Sequence, residues 1–187
     1  MKEDISNSLK ILLEGGVILY PTDTVWGIGC DATNENAVQR IYRIKKRKDS
    51  KSMLVLIDYP DRLNQYVSNI PDIAWKMMNE SKNPLTIIYP DVLNLAPGLL
   101  AADNSAGIRV AGDDFCQQLI GQFGKPVVST SANISGNPTP KNFSEIDSLI
   151  QKSVDYIVRY RQDDQIPHKP SAVIKLGVNG EVTTIRG

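Results

Sequence analysis

The sequence predicts an α/β domain built on an open, mixed and twisted sheet with flanking helices. Short apolar runs recur along the chain between segments of helical periodicity. Gly, Pro, Asn or Asp punctuates most of the boundaries. The last two runs are separated by Asn179-Gly180, a pair suited to a tight turn between antiparallel strands. At 187 residues the chain is long enough for one domain with a real core, and one domain over residues 1–187 is the expectation.

The elements follow in order. Within Ile5–Glu14, Ile5, Leu9, Leu12 and Leu13 fall at helical spacing, and Gly15-Gly16 supplies a left-handed stop. Val17–Tyr20 is a short buried strand. Thr33 or Asn34 caps a helix that presents Ala37, Val38, Ile41 and Ile44 on one face. Met53–Ile57 is a second buried strand. Pro60 and Pro71 each open a short helix. Leu85–Tyr89 and Gly107–Val110 read as strands. Asp113 or Asp114 caps a helix through Phe115, Leu119 and Ile120, and Pro126–Ser129 is the next strand. Ser144-Glu-Ile-Asp147 reads as a capping box before another short helix. Val154–Val158, Ala172–Leu176 and Val182–Ile185 complete the strands, the last two joined at Asn179-Gly180.

Composition narrows the function. The segment Met1–Lys10 is too polar for a signal peptide and no apolar stretch is long enough to span a bilayer, so a cytoplasmic location is expected. Two cysteines, Cys30 and Cys116, form no CxxC pair and are read as reduced, buried hydrophobes. A single histidine, His168, excludes any multi-histidine metal or catalytic site and is read as a surface residue. Formal net charge is zero, but Arg40 to Lys51 holds seven basic residues and one acid. That segment is +6 and the remainder −6, which points to an anion near it: a triphosphate and a nucleic acid backbone both fit.

Four places hold candidate chemistry. Pro21-Thr-Asp-Thr-Val-Trp-Gly27 follows a strand, where α/β sheets commonly bind ligands, though a polar turn explains it equally. Lys45-Lys-Arg-Lys-Asp-Ser-Lys51 ends a helix, where cations are favourable, but seven basic residues in twelve repel one another unless an anion compensates them. Ser129-Thr-Ser-Ala-Asn-Ile-Ser-Gly136 is a neutral hydrogen-bonding loop able to hold phosphate or carboxylate oxygens; it lacks the ending of a P-loop. Arg109 stands between Ile108 and Val110 and needs a partner, either a buried acid or a substrate anion.

Taken in order, GGVILYPTDTVWGIGCDA from Gly15, Lys45-x-Arg47, Pro84-Leu-Thr86, Ile108-Arg-Val110, KPVVSTSANISG from Lys125, Pro170-Ser171 and Ile185-Arg-Gly187 resemble the YrdC/TsaC family across residues 15–187. Lys82-Asn83 stands where that family usually has Pro-Gly. The resemblance implies a YrdC-like fold with a concave, positively charged cleft. It implies that L-threonine, bicarbonate and ATP with Mg²⁺ give threonylcarbamoyl-AMP and pyrophosphate. Threonylcarbamoyl transferase proteins then modify tRNA. By the same resemblance Thr24 would touch threonine, Lys45 and Arg47 the carboxylate and phosphates, and Arg109 the substrate anion. Lys51, Thr86, Ser131 and Asn133 would line the nucleotide site, with Ser131 also near threonine, and Ser171 and Arg186 would close the cleft. Arg40, Arg43, Lys46 and Lys48 would be left to attract tRNA or double-stranded RNA weakly. The competing readings are an RNA-binding module without catalysis and a regulatory paralogue of the same fold.

Overall fold

A computed structural model describes residues 1–46, 53–166 and 168–187. Helix α1 (Lys2–Leu13) buries Ile5, Ser8 and Leu12, and the chain leaves it through Gly15 at φ 76°. Strand β1 (Ile18–Tyr20) pairs antiparallel with β2 (Gly27–Gly29), so residues 21–26 form the loop of a hairpin. Helix α2 (Glu35–Lys45) is capped by Asn34, whose side chain accepts the Ala37 N–H at 3.1 Å. Strand β3 (Leu54–Ile57) leads to a 3₁₀ turn opened by Pro60, then to α3 (Asp72–Glu80) behind Pro71. Strands β4 (Leu85–Tyr89) and β5 (Ala106–Val110) follow. Asp113 caps α4 (Asp114–Phe123) by accepting the Cys116 N–H at 3.0 Å. Strand β6 (Val127–Ser131), helix α5 (Ser148–Ser153) and strands β7 (Tyr156–Ile157), β8 (Ala172–Leu176) and β9 (Val182–Arg186) complete the chain.

The described strands form one nine-stranded sheet in the order β7-β1-β2-β6-β3-β5-β4-β8-β9. Three pairings are parallel (β1–β7, β3–β5, β4–β8) and the rest antiparallel, so the sheet is mixed as expected. Two apolar clusters hold it. The larger packs α1, α2, α4 and α5 on β1, β2, β3 and β6; the smaller packs α3 and the Pro60 turn on β4, β5 and β8. Cys30 and Cys116 are buried, free thiols in the larger cluster, and burial pushes both thiols up, so they act as small hydrophobes. Among the described residues no helix is long and apolar enough to cross a membrane.

Three local readings change. Strand β2 was not expected, because two of its three residues are glycine and glycine weakens a strand. It forms because the backbones come too close for side chains: a Cβ at Gly29 would lie 2.6 Å from the Val128 carbonyl oxygen and 2.6 Å from the Tyr20 ring. The capping box is not made. Ser144 sits in a single 3₁₀ turn and donates to Asn142 Oδ1, while Asp147 caps α5 by accepting the Leu149 N–H at 2.8 Å. The final turn is closed by Gly180 N–H to Gly177 O at 3.0 Å, so Val178-Asn179 are its central residues. Gly180 then takes the left-handed φ of 87°.

The crowding at Gly29 yields a test. Gly29→Ala is expected to destabilise the fold by about 1–3 kcal/mol, because a methyl group must displace the backbone of β6. A urea melt reads this, and an unchanged midpoint would show that the hairpin can shift freely.

Candidate active site

The hairpin β1–β2 and the pairing of Gly27 with Ser131 set the loop of residues 21–26 beside the end of β6. Around that junction lies a cavity of about 270 Å³. Alternate residues of two central strands reach it, Thr86 and Ile88 of β4 and Gly107 and Arg109 of β5, and Ser129, Thr130 and Ser131 at the end of β6 join them. Thr24 forms one wall, and Ser171 and Arg186 the opposite one. Gly27 and Gly107 keep the floor low: a Cβ on Gly107 would stand 3.3 Å from Thr86 Cγ2, and one on Gly27 3.2 Å from Ser129 Oγ.

Arg109 lies at the centre with 2% exposure. Its Nη1 donates to Thr24 Oγ1 at 3.0 Å and its Nη2 stands 3.1 Å from Asp23 Oδ1. Its Nε has no hydrogen-bond partner among the described residues. The buried acid and the cavity, the two alternatives the sequence left open, are therefore both present. Burial pushes the Asp23 carboxyl up from its usual range, and the Arg109 guanidinium opposes that.

The loop holds Thr24 by a chain of hydroxyls. Thr22 Oγ1 donates to Val25 O at 2.9 Å and accepts the Thr24 N–H at 3.0 Å. Its one proton is thus spent, so the 2.9 Å contact with Thr24 Oγ1 makes Thr24 the donor. With its proton on Thr22 and one lone pair on Arg109, Thr24 offers a ligand an acceptor only. Across the cavity Thr86 Oγ1 and Ser171 Oγ are 2.8 Å apart, both buried, and Arg186 Nε donates to the Ser171 carbonyl at 2.9 Å. The parallel pairing of β4 with β8 and the pairing of Val173 with Arg186 bring these three together.

Lys45 differs from its expected place. It is 1% exposed and does not line the cavity among the described residues; its Nζ donates to the carbonyls of Ser131 and of Asn133, the latter at 2.8 Å. It ties the C-terminus of α2 to the loop after β6. Asn133 also faces away from the main cavity. Its Oδ1 accepts from Ser131 Oγ at 2.5 Å, its Nδ2 donates to Asn137 O at 2.7 Å, and it lines an adjoining groove. Arg47 and Lys51, with Lys48, lie outside the described residues. Arg40 is not free for polyanions: its Nη2 is 2.9 Å from Asp155 Oδ1, and this hydrogen bond holds the Asp155 carboxyl below its usual range. His168 is half-buried rather than on the open surface, with its Nε2 2.9 Å from Arg161 Nη2 and 3.2 Å from Asp164 Oδ2. Arg161 in turn donates to the Thr22 carbonyl at 3.1 Å.

Asp23 and Ser129 lie within the two candidate loops but carried no role of their own, and Thr139 lay outside both; all three belong to the site region. Strand alternation in Val127–Ser131 could have shown that Ser129 and Ser131 share a face; nothing in the local pattern marks Thr139.

The fold and this hydroxyl- and arginine-lined cavity define an α/β protein with a polar cleft on one face of its sheet. The Sua5/YciO/YrdC family model, described as telomere recombination, matches residues 10–187, and the chain belongs to that family. A threonylcarbamoyl-AMP synthase of Pseudoalteromonas translucida is 33% identical over 182 residues, 95% of each chain. A putative threonylcarbamoyl-AMP synthase of Methanocaldococcus jannaschii is 33% identical over 170 residues, covering 89% of this chain and 77% of that one. The crystal structure of E. coli YciO superposes with a TM-score of 0.85 at 28% identity over 100% of this chain and 89% of that one. That of P. abyssi Sua5 complexed with L-threonine does so with a TM-score of 0.83 at 25% identity over 94% of this chain; the present chain spans about half, 52%, of that protein.

The tether of Lys45 is testable. Lys45→Met keeps the apolar stem and removes the charged donor, leaving two carbonyls poorly satisfied. We expect a loss of about 1–3 kcal/mol in stability. Amide hydrogen exchange should also quicken at residues 131–137. Unchanged stability and exchange would assign Lys45 no structural role.

Proposed function

We propose that the chain is a threonylcarbamoyl-AMP synthase, a nucleotidyltransferase that condenses L-threonine, bicarbonate and ATP to threonylcarbamoyl-AMP and pyrophosphate. The observation that carries this reading is the buried Arg109 with an unspent N–H, set among seven hydroxyl side chains in one cavity. Curated relatives of matching length carry the synthase name.

The chemistry suits such an inventory. The amine of threonine attacks the bicarbonate carbon, hydroxide leaves as water with a proton of the amine, and a carbamate results. The carbamate oxygen then attacks the α-phosphorus of ATP, and pyrophosphate departs. Both steps need alignment and charge neutralisation more than a protein nucleophile. In this reading Arg109 takes the threonine carboxylate, and the acceptor lone pair of Thr24 takes an N–H of its amine. Ser131, Thr86, Ser171 and Arg186 hold nucleotide oxygens, Asn133 and Lys45 keep the loop of Ser131 in shape, and Arg47 and Lys51 neutralise phosphates. Mg²⁺ arrives as MgATP and is carried by the phosphates and water. Among the described residues no group of three His, Cys, Asp or Glu side chains is placed to hold a metal ion, and the proposed mechanism asks for none. Threonylcarbamoyl transferase proteins then pass the group to tRNA. Any RNA binding by this chain is weak and falls steeply with salt, since it rests on phosphate contacts.

Purified protein is expected to release pyrophosphate from MgATP only when threonine and bicarbonate are both present. Release that ignores threonine, or none at all, counts against the reading. Ser131→Ala is expected to weaken binding of ATP or threonine by about 1.5–3 kcal/mol with little change in melting temperature. Calorimetric titration with each ligand measures it, and wild-type affinity for both would remove Ser131 from the site.

A further inference from the structure

We propose that Asp23 is a positioning residue for threonine, acting on Arg109 from the opposite face of the sheet; the proposal rests on the synthase reading. The side chain of Asp23 is 10% exposed. It does not line the 270 Å³ cavity. It lines a second cavity of about 350 Å³ together with Leu85 and Ile87 of β4 and Ile108 and Val110 of β5, residues that alternate with those facing the first. Asp23 is therefore no part of the first cavity's lining, yet its Oδ1 stands 3.1 Å from Arg109 Nη2.

Its other oxygen, Oδ2, accepts the Gly112 N–H at 3.1 Å, which anchors the carboxylate to the backbone just past β5. A Cβ on Gly112 would come within 2.9 Å of that oxygen, so the close approach depends on glycine there. Arg109 is thus held on two sides, by the charge of Asp23 at Nη2, whose Oδ1 makes no hydrogen bond among the described residues, and by a hydrogen bond to Thr24 at Nη1, while Nε is left without a partner. An arginine has four rotatable bonds and gains binding strength only when its fork is held still. The pair fixes the guanidinium so that its unspent edge serves the carboxylate of threonine. Asp23 does this without contributing to the nucleotide side of the site, where Thr86, Ser171 and Arg186 are bonded to one another.

The selectivity of that arrangement is the test. In Asp23→Asn, nearly isosteric and still able to accept the Gly112 N–H, the KM for L-threonine is expected to rise roughly tenfold or more, as for a lost charge-assisted contact. The KM for ATP should stay within about twofold of wild type, and circular dichroism should report a folded protein. Asp23→Glu keeps the counter-charge for Arg109 and serves if the asparagine variant unfolds. It lengthens the arm by one methylene, shifts the fork, and should also raise the threonine KM alone. The double variant Asp23→Asn/Arg109→Lys is expected to be no worse toward threonine than Arg109→Lys. A wild-type threonine KM in either folded variant, or an equal rise in both KM values, overturns the proposal while leaving the synthase reading intact. A wild-type enzyme that shows no threonine-dependent turnover and binds no L-threonine by calorimetry sinks that reading, and this proposal with it.

Discussion

The arrangement of the site follows from one buried cation. Arg109 is the fourth of the five residues of β5, a strand set between the parallel partner β3, where it pairs with Leu56, and the antiparallel partner β4. A guanidinium at 2% exposure carries a desolvation cost of several kcal/mol that only close, well-placed partners offset. Its own strand cannot supply them, since Ile108 and Val110 are apolar. The loop between β1 and β2 does so, with a carboxylate from Asp23 and a hydroxyl from Thr24. Thr22 and Pro21 then read as the means of folding that loop inward. Thr22 closes the turn through its hydroxyl, and Pro21 begins it with a fixed φ and no N–H to satisfy.

A second consequence is preorganisation. Several of the site's polar groups are already joined in small chains: Thr22–Thr24–Arg109 by hydrogen bonds with Asp23 paired to Arg109 by charge, Thr86–Ser171–Arg186 on the other side, and Ser131–Asn133 between. Groups held in this way do not reorganise when charge develops in a reaction, and low reorganisation is where electrostatic catalysis gains most.

Much of the fold was legible because its signals are local. The strands β3, β4, β5 and β8 are apolar runs, and the caps Asn34 and Asp113 announce their helices by residue type. Strand β2 was hidden because its reason for existing, close passage against β6, lies about a hundred residues away in the chain. The site was legible as motifs but not as contacts. Sequence could say that Arg109 needed a partner, yet not that Asp23 answers, because ion pairs between distant segments leave no periodic trace. The partners of Arg40 and Lys45 in the basic segment were hidden for the same reason. Read as one cluster of like charge, it is in fact divided: Arg40 is paired with Asp155 from far along the chain, and Lys45 is drawn into the interior.

That division bears on how positive charge serves the cleft. A lysine at the C-terminus of α2 already interacts favourably with the helix dipole. Burying its ammonium against the carbonyls of Ser131 and Asn133 converts a mobile surface cation into a fixed one beside the hydroxyl loop. An ammonium fixed close behind Ser131 holds the hydroxyl loop in place through the carbonyls of residues 131 and 133. Arg109 holds to the same principle in the centre of the sheet, where partners on two sides leave it one open edge. The two cations the sheet immobilises thus differ in what they can do. Lys45 fixes the loop after β6 from behind through two carbonyls, whereas Arg109, with its Nε unpaired, lines the cavity itself.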